Sequence, residues 1–456
     1  MKRPHGMRYG LPDLLERTSR EEDACHDRFR SHFGRIWAAR SDQPFDEEEL
    51  AKLSTLMEED DENTSTDTDT PIGLAIFGQF IDHDITLDAT TRLGHAAGNP
   101  ERIENFRTPR LDLDSIYLDG PEASPFLYDG HHLLVGTDRN PLDVQRVHRN
   151  GIPSTAIIGD PRNDENIFIV QLQSLFIRFH NFVVDRIEAG KINKRDLPDA
   201  ADTFHQAQAL CRRTYQWLVV NEFLPAVVEQ SVLADYISGF ESGKLPGPID
   251  WETAPAMPVE FAGAAYRFGH SFIRQDYRLN DVVAGDLFAF DTFSPVEEYM
   301  NIDWKYLFDL DGSSYLKAKA IDTRLASALF NLPFAEPPQN NLAARNLIRG
   351  QLTFHLPSGE QTARNMDLEA QEKHVAIAAL GMDETPLWFY TLSEAERNGG
   401  KLGPVGGSIV AGTLLQMLLR DDGSYIHTCK GFAPCEVFGF DPEQSVFAGI
   451  AKALQE

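Results

Sequence analysis

The side chains best suited to chemistry fall in a few short constellations. In Gln79-Phe-Ile-Asp82-His83-Asp84, offsets of zero, three and four share one helix face, so Gln79, Asp82 and His83 point together. Asp84, one residue on, turns about 100° away. One face thus presents an amide, a carboxylate and an imidazole, and the flank a second carboxylate. A buried, satisfied histidine among surface acids has the same pattern. Thr108-Pro-Arg110-Leu-Asp112-Leu-Asp114 sets oxygens at alternate positions, as an extended loop around a hard cation would, or as an Asp-rich turn would. Gly159-Asp-Pro-Arg162-Asn-Asp-Glu165-Asn166 runs into a helical pattern. Its proline and acids suit a helix start, which leaves Arg162 unexplained. Tyr266-Arg267-Phe268-Gly269-His270 lies in an apolar helical stretch, where a core histidine is the ordinary reading. Ala344-Arg345-Asn346-Leu-Ile-Arg349-Gly350 reads equally as a helix closed by its glycine.

The elements that must position these groups are mostly helical. Apolar residues at three- and four-residue spacing predict helices over 77–88, 165–189 (ending at Gly190), 203–229 (broken near Pro225), 259–275, 316–331, 341–350 and 408–420. Long connections rich in Gly, Pro, Asp and Asn fill 90–160 and 276–303, and alternating strands are scarce. Residues 1–70 divide into an Arg- and His-rich arm and an acidic, Thr-rich loop from Glu58 to Thr70. The expectation is a mainly α fold, one large helical domain over 71–456 with long ordered loops and little β-structure.

Composition narrows the function. The chain has 456 residues, 42% hydrophobic and 25% charged, with a net charge of −28. So acidic a surface repels phosphate backbones and anionic bilayers, so neither nucleic acid nor such a membrane is an expected partner. The apolar run Ser408–Leu419 is too short to span a bilayer, and the N-terminus lacks the apolar region of a signal peptide. Cytoplasmic residence or non-classical export is therefore expected. Cys25, Cys211, Cys429 and Cys435 are too few for a disulfide scaffold, although a Cys429–Cys435 bridge stays open in an oxidising compartment. Gly-x-Gly-x-x-Gly, Gly-x4-Gly-Lys, Gly-x-Ser-x-Gly and His-Glu-x-x-His are all missing.

Taken in order, Gln-x-x-Asp-His-Asp, the oxygen-rich loop, Arg-x-x-Glu, Arg-x-x-His and Asn-x-x-Arg resemble the animal-type haem peroxidases, and bacterial members in style. The segments FGQFIDHDITLD, RTPRLDLDSIY, GDPRNDEN, AAYRFGH and AARNLIRG carry the likeness from about residue 75 to about residue 425. The resemblance implies haem b, hydrogen peroxide, a ferryl intermediate and a small donor: bromide, iodide, thiocyanate or a phenol. By resemblance His83 is the distal acid–base, Arg162 the distal arginine, and Gln79 the partner of distal water or halide. His270 is the proximal iron ligand, donating from its other nitrogen to Asn346, and Arg267 pairs with a propionate. Asp82 and Glu165 match the carboxylates that form haem esters in mammalian members. Their presence permits such links without establishing them. Asn166 stands where a methionine forms the sulfonium link of myeloperoxidase, so that link is excluded. Asp84, Thr108, Asp112, Asp114 and the Arg110 carbonyl match calcium ligands, with Asp114 in place of a serine.

Two other readings follow from the same residues. Fatty-acid dioxygenases of this superfamily carry a tyrosine three residues before the proximal histidine; here that residue is Arg267, and Tyr266 lies four before. A haem-free adhesion scaffold would be expected to have lost His83, Arg162 or His270, yet all three are present.

Overall fold

The computed structural model describes residues 32–455 except 41, 43, 61–65, 89–90, 96–97, 137–138, 150–151, 291–292, 311 and 313. Most of the arm, Cys25 and part of the acidic loop lie outside these residues. The longer helices are α1 (Glu47–Thr55), α2 (Gly73–Ile85), α3 (Ile167–Glu188), α4 (Thr203–Leu218), α5 (Gln230–Ser242), α6 (Leu342–Ile348), α7 (Gly359–Asn365), α8 (Leu387–Arg397), α9 (Pro404–Arg420) and α10 (Val446–Ala453). Strands among the described residues form only two-stranded pairs. The expected mainly α fold is what the chain adopts.

Helix α3 is the central element. Asn166 caps it by accepting from Phe168 N and Ile169 N, and the chain turns away at Gly190, where φ is +65°. It packs between α2 and α4. At 22 residues and a mean hydropathy of 1.4 it is long and apolar enough to cross a membrane, a feature the sequence reading passed over. However, 83% of that window is buried within the fold. Behind α2, Phe77 and Phe80 pack on Phe176 and Tyr215, with Phe447 of α10 closing over Phe77. This aromatic layer leaves the other face of α2 to carry polar groups.

Several predicted elements differ. The 203–229 helix runs through a π turn at Val219–Phe223 and ends in a last turn, Leu224–Val227, that accommodates Pro225. Residues 259–275 are three short pieces, Val259–Gly263, Ala265–Phe268 and Gly269–Phe272, because Ala264 leaves helical geometry at φ −142°, ψ −76°. Residues 316–331 hold a strand, Lys317–Lys319, paired with Asp67–Pro71, and a 3-10 turn, Ser327–Phe330. Cys211, Cys429 and Cys435 are free thiols in this structure.

Two buried carboxylates fasten the frame. Glu260 accepts from Ile36 N and Trp37 N, each at 3.1 Å, beside the pairing of Phe33–Gly34 with Met257–Pro258. Glu394 on α8 accepts from Val405 N and Gly406 N, so it caps the start of α9. Burial pushes the Glu394 carboxyl up from 4.5 to about 7, against the pull of those amides. The folded chain then keeps a proton that the unfolded chain releases. Its contribution to stability is complete below about pH 4.5 and is lost as the pH rises to about 7. Glu394→Gln keeps an acceptor and never ionises. It is expected to unfold at a higher temperature than wild type at pH 8, by up to about 3 kcal/mol of stability, and to match it near pH 5. Thermal melts at both pH values check this.

Candidate functional site

The site is built where the C-terminal end of α2 meets the 3-10 turn Pro161–Asp164 and the turns carrying Arg267 and His270. As the helical offsets required, Gln79 and His83 come together. Gln79 Nε2 donates to Glu165 Oε1 at 2.5 Å, and His83 Nε2 stands 3.5 Å from the same oxygen. His83 is buried, and that burial, with the Arg162 charge beside it, lowers its imidazole to about 4. Its Nδ1 lies 2.7 Å from Asn163 Oδ1. Burial pushes Glu165 up to about 7 against the pull of Arg162 and Gln79. Asn166, besides capping α3, donates to Gln79 Oε1 at 3.4 Å.

Arg162 is anchored by Nε and Nη2. Nη2 donates to the carbonyls of His83 (3.0 Å) and Thr86 (2.6 Å) and to Asp160 Oδ2 (2.7 Å), while Nε reaches Asp160 Oδ1 (3.1 Å). Burial disfavours this charge, but Asp160 outweighs burial and raises the guanidinium above its ordinary value. It stays a cation locked against the end of α2.

On the other side, Asn346 Nδ2 lies 2.7 Å from His270 Nδ1. The expected contact is present with the opposite polarity, for here the amide donates. A half-turn of that amide would present its oxygen and let Nδ1–H donate. Burial first, then Arg267, holds His270 down to about 3. The Asp82 charge acts on both His83 and His270, and the turn carrying His270 packs against α2. Arg267 is not on one continuous helix with His270, as expected from sequence; it sits on a 3-10 turn and its Nε donates to Ala262 O at 2.9 Å. Arg349, on the π turn that follows α6, is lowered to about 10 by burial and by Arg267. These crowded cations suit an anionic ligand.

The oxygen-rich loop lies behind α2. Thr108 Oγ1 donates toward Asp112 (3.1 Å) and Asp114 (3.3 Å), Arg110 N donates to Thr108 O, and Leu113 N donates to Asp84 Oδ2 at 3.3 Å. Of the two readings of this segment, the loop takes the turn and not the extended path. Leu111 and Leu113 have φ of +56° and +57°, which folds the chain back so that its oxygens converge. Burial, then Asp112 and Asp114, pushes the Asp84 carboxyl well above its ordinary range. Asp84 Oδ1 is buried and has no hydrogen-bond partner among the described residues. Among the described residues, His, Cys, Asp and Glu side chains alone form no metal-binding group of three or more.

Sequence reasoning missed the residues that tie these parts together. Arg107 Nη1 pairs with Asp114 at 3.1 Å and its Nη2 with Asp160 at 2.7 Å, linking the loop to the anchor of Arg162. Asn163 lies within the Gly159–Asn166 segment, but its partner His83 is 80 positions away, so the spacing gives no sign of it. Gly159 N donates to Ser115 O at 3.1 Å, and a Cβ at Gly159 would stand 2.5 Å from that oxygen. Gly159→Ala must therefore push loop and turn apart. It is expected to cost about 1–3 kcal/mol in urea unfolding.

The sequence matches the model of the animal haem peroxidase family over residues 96–352. Dual oxidase of Drosophila melanogaster is 33% identical over 197 residues, 40% of this chain and 12% of its own length. Peroxidasin of Drosophila melanogaster is 22% identical over 355 residues, 70% of this chain and 21% of its own. The chain thus spans a small part of these curated relatives. Peroxidase A from Dictyostelium discoideum shares the fold with a TM-score of 0.67 at 17% identity, over 93% of both chains. The Oryza sativa fatty acid alpha-dioxygenase does so at 0.60 and 16%, over 93% of this chain and 88% of its own. With its ordered motifs gathered in one site and the family match covering more than half its length, the chain belongs to the animal haem peroxidase family.

Proposed function

We propose that the chain is a haem-dependent peroxidase that reduces hydrogen peroxide and oxidises a small anionic or aromatic donor, such as bromide, iodide, thiocyanate or a phenol. The observation that carries this reading is the pair of neutral imidazoles, buried His83 beside Arg162 and half-buried His270 against Asn346, under the shared charge of Asp82. Haem b, when bound, supplies the electron transfer from donor to peroxide. His270 would hold the iron through Nε2, which has no hydrogen-bond partner among the described residues, and Arg267 and Arg349 would meet the propionates. Asp82 and Glu165 are available for ester links. His83 accepts a proton from peroxide at Nε2 and returns it to the departing oxygen, a role for which an imidazole neutral above about pH 4 is suited. Arg162 offers its remaining Nη1 to developing negative charge. The dioxygenase reading loses support, because Tyr266 OH donates to Gly78 O at 3.1 Å and Arg267 fills the position nearer His270.

The test is the visible spectrum of haem-supplemented protein before and after one equivalent of hydrogen peroxide. A Soret band that shifts and then returns on adding iodide or a phenol supports the reading. Bound haem inert to peroxide, or no bound haem, overturns it.

Calcium at Asp84, Thr108, Asp112, Asp114 and the Arg110 carbonyl belongs to the same proposal. The unpartnered Asp84 oxygen and the crowding of three carboxylates fit a hard cation. Because Asp84 adjoins His83, verified removal of calcium by a strong chelator is expected to shift the Soret band and slow the peroxide reaction about tenfold. An unchanged spectrum contradicts the coupling.

A further inference from the structure

A line of buried amides runs from the oxygen-rich loop to His83. Ser115 O accepts from Gln173 Nε2 at 3.1 Å, Gln173 Oε1 accepts from Asn163 Nδ2 at 2.7 Å, and Asn163 Oδ1 lies 2.7 Å from His83 Nδ1. Ser115, Gln173 and Asn163 are all 0% exposed. An Asn or Gln amide can in general be turned end for end, but this line cannot. A backbone carbonyl only accepts, so the end of Gln173 that meets Ser115 must be its NH2. Its oxygen then faces Asn163, whose NH2 must meet it, and the Asn163 oxygen is left for His83. The imidazole nitrogen facing that oxygen must carry hydrogen. The contact at His270 differs, because Asn346 has no such carbonyl fixing its polarity.

We infer that Asn163, polarised through Gln173 by the Ser115 carbonyl, is a positioning residue that fixes His83 as the Nδ1–H tautomer, with the Nε2 lone pair on the side of Gln79 and Glu165. This deepens the peroxidase reading and rests on it. The reaction requires a base at Nε2: the proton leaves peroxide for Nε2, and the imidazolium so formed keeps its Nδ1–H bonded to Asn163. With Asn163 removed, the ring is free to adopt the Nε2–H tautomer, which has no lone pair facing the substrate. Ser115 directly follows Asp114, so the carbonyl that sets the polarity belongs to the oxygen-rich loop.

The test uses the haem-loaded protein and two ligands. Hydrogen cyanide must give up its proton to a nearby base before cyanide binds ferric haem, whereas carbon monoxide binds ferrous haem without a proton. Asn163→Leu is expected to slow cyanide association about tenfold or more at pH 7 and to leave carbon monoxide association within about twofold. Asn163→Asp, which keeps the acceptor, is expected to stay within about threefold of wild type for both. Cyanide binding to Asn163→Leu at the wild-type rate, or equal slowing of both ligands, overturns the inference. Should Asn163→Leu fail to fold, Gln173→Leu is read in the same way: selective slowing of cyanide supports the inference and an unchanged ratio overturns it. Wild-type protein that binds no haem would sink the peroxidase reading itself. A wild type that binds both ligands, with variants that do not discriminate, would sink only the role of Asn163.

Discussion

His83→Leu is expected to lower the second-order rate with hydrogen peroxide by about 10²–10⁴-fold while haem content stays at the wild-type level. The side chain lies on α2 beside Asn163, Glu165 and Gln79, and leucine fills much of the volume of the imidazole without its nitrogens. What is lost is the proton acceptor beside Arg162. The pH dependence follows from the same burial. With His83 held at about 4, the imidazole is neutral and active across pH 5–8, and the wild-type rate falls only as the pH drops through about 4, where the ring becomes charged. Stopped-flow measurements of the Soret change from pH 3.5 to 8 test both statements. A variant that reacts at the wild-type rate, or a wild-type limb near the ordinary 6.5, contradicts them.

Arg146→Met is expected to destabilise the chain by about 3–5 kcal/mol. The guanidinium makes two bonds to Asp143 (2.7 and 3.1 Å) and two to Asp164 (2.9 and 2.7 Å), and all three side chains are almost wholly buried. Methionine fills much of the volume but strands two carboxylates in the interior. Asp164 lies between Asn163 and Glu165, so the loosened turn also carries the site with it. Urea unfolding measures the loss. The triple change Arg146→Met, Asp143→Asn, Asp164→Asn is expected to recover about half of it, because the stranded charges are gone. No recovery would mean that the geometry of the guanidinium, and not charge burial, holds the turn.

The parts of the fold that could be read from sequence are those whose signals are local. α3 is marked by a long 3.6-residue pattern, a capping Asn and a terminal Gly, and it stands where these place it. The 316–331 segment has apolar residues at helical spacing as well, yet Ala320 N is drawn to Thr66 O and Ile321 N to Gly400 O, so partners far along the chain decide for strand. α5 was missed because its exposed face is polar and its buried residues, Leu233, Tyr236 and Phe240, are few. In the site, His83, Arg162 and His270 are picked out by the resemblance of their ordered motifs, since each alone reads as an ordinary core or helix-start residue. Asn163, Gln173 and Arg107 act through partners fifty or more positions away, and Arg146 joins Asp164 across 18 positions of loop, so no helical or strand spacing reveals them.

The clasp at Glu260 has a consequence for synthesis. Its amide partners, Ile36 and Trp37, precede it by 224 and 223 residues. At roughly 5–20 residues per second, those amides leave the ribosome about 10–45 s before the carboxylate that receives them has been made. Phe33 and Gly34 wait as long for Met257 and Pro258. The first described segment can meet Ile103 early, through Phe33 N, but its clasp closes only after more than half of the sequence has been translated.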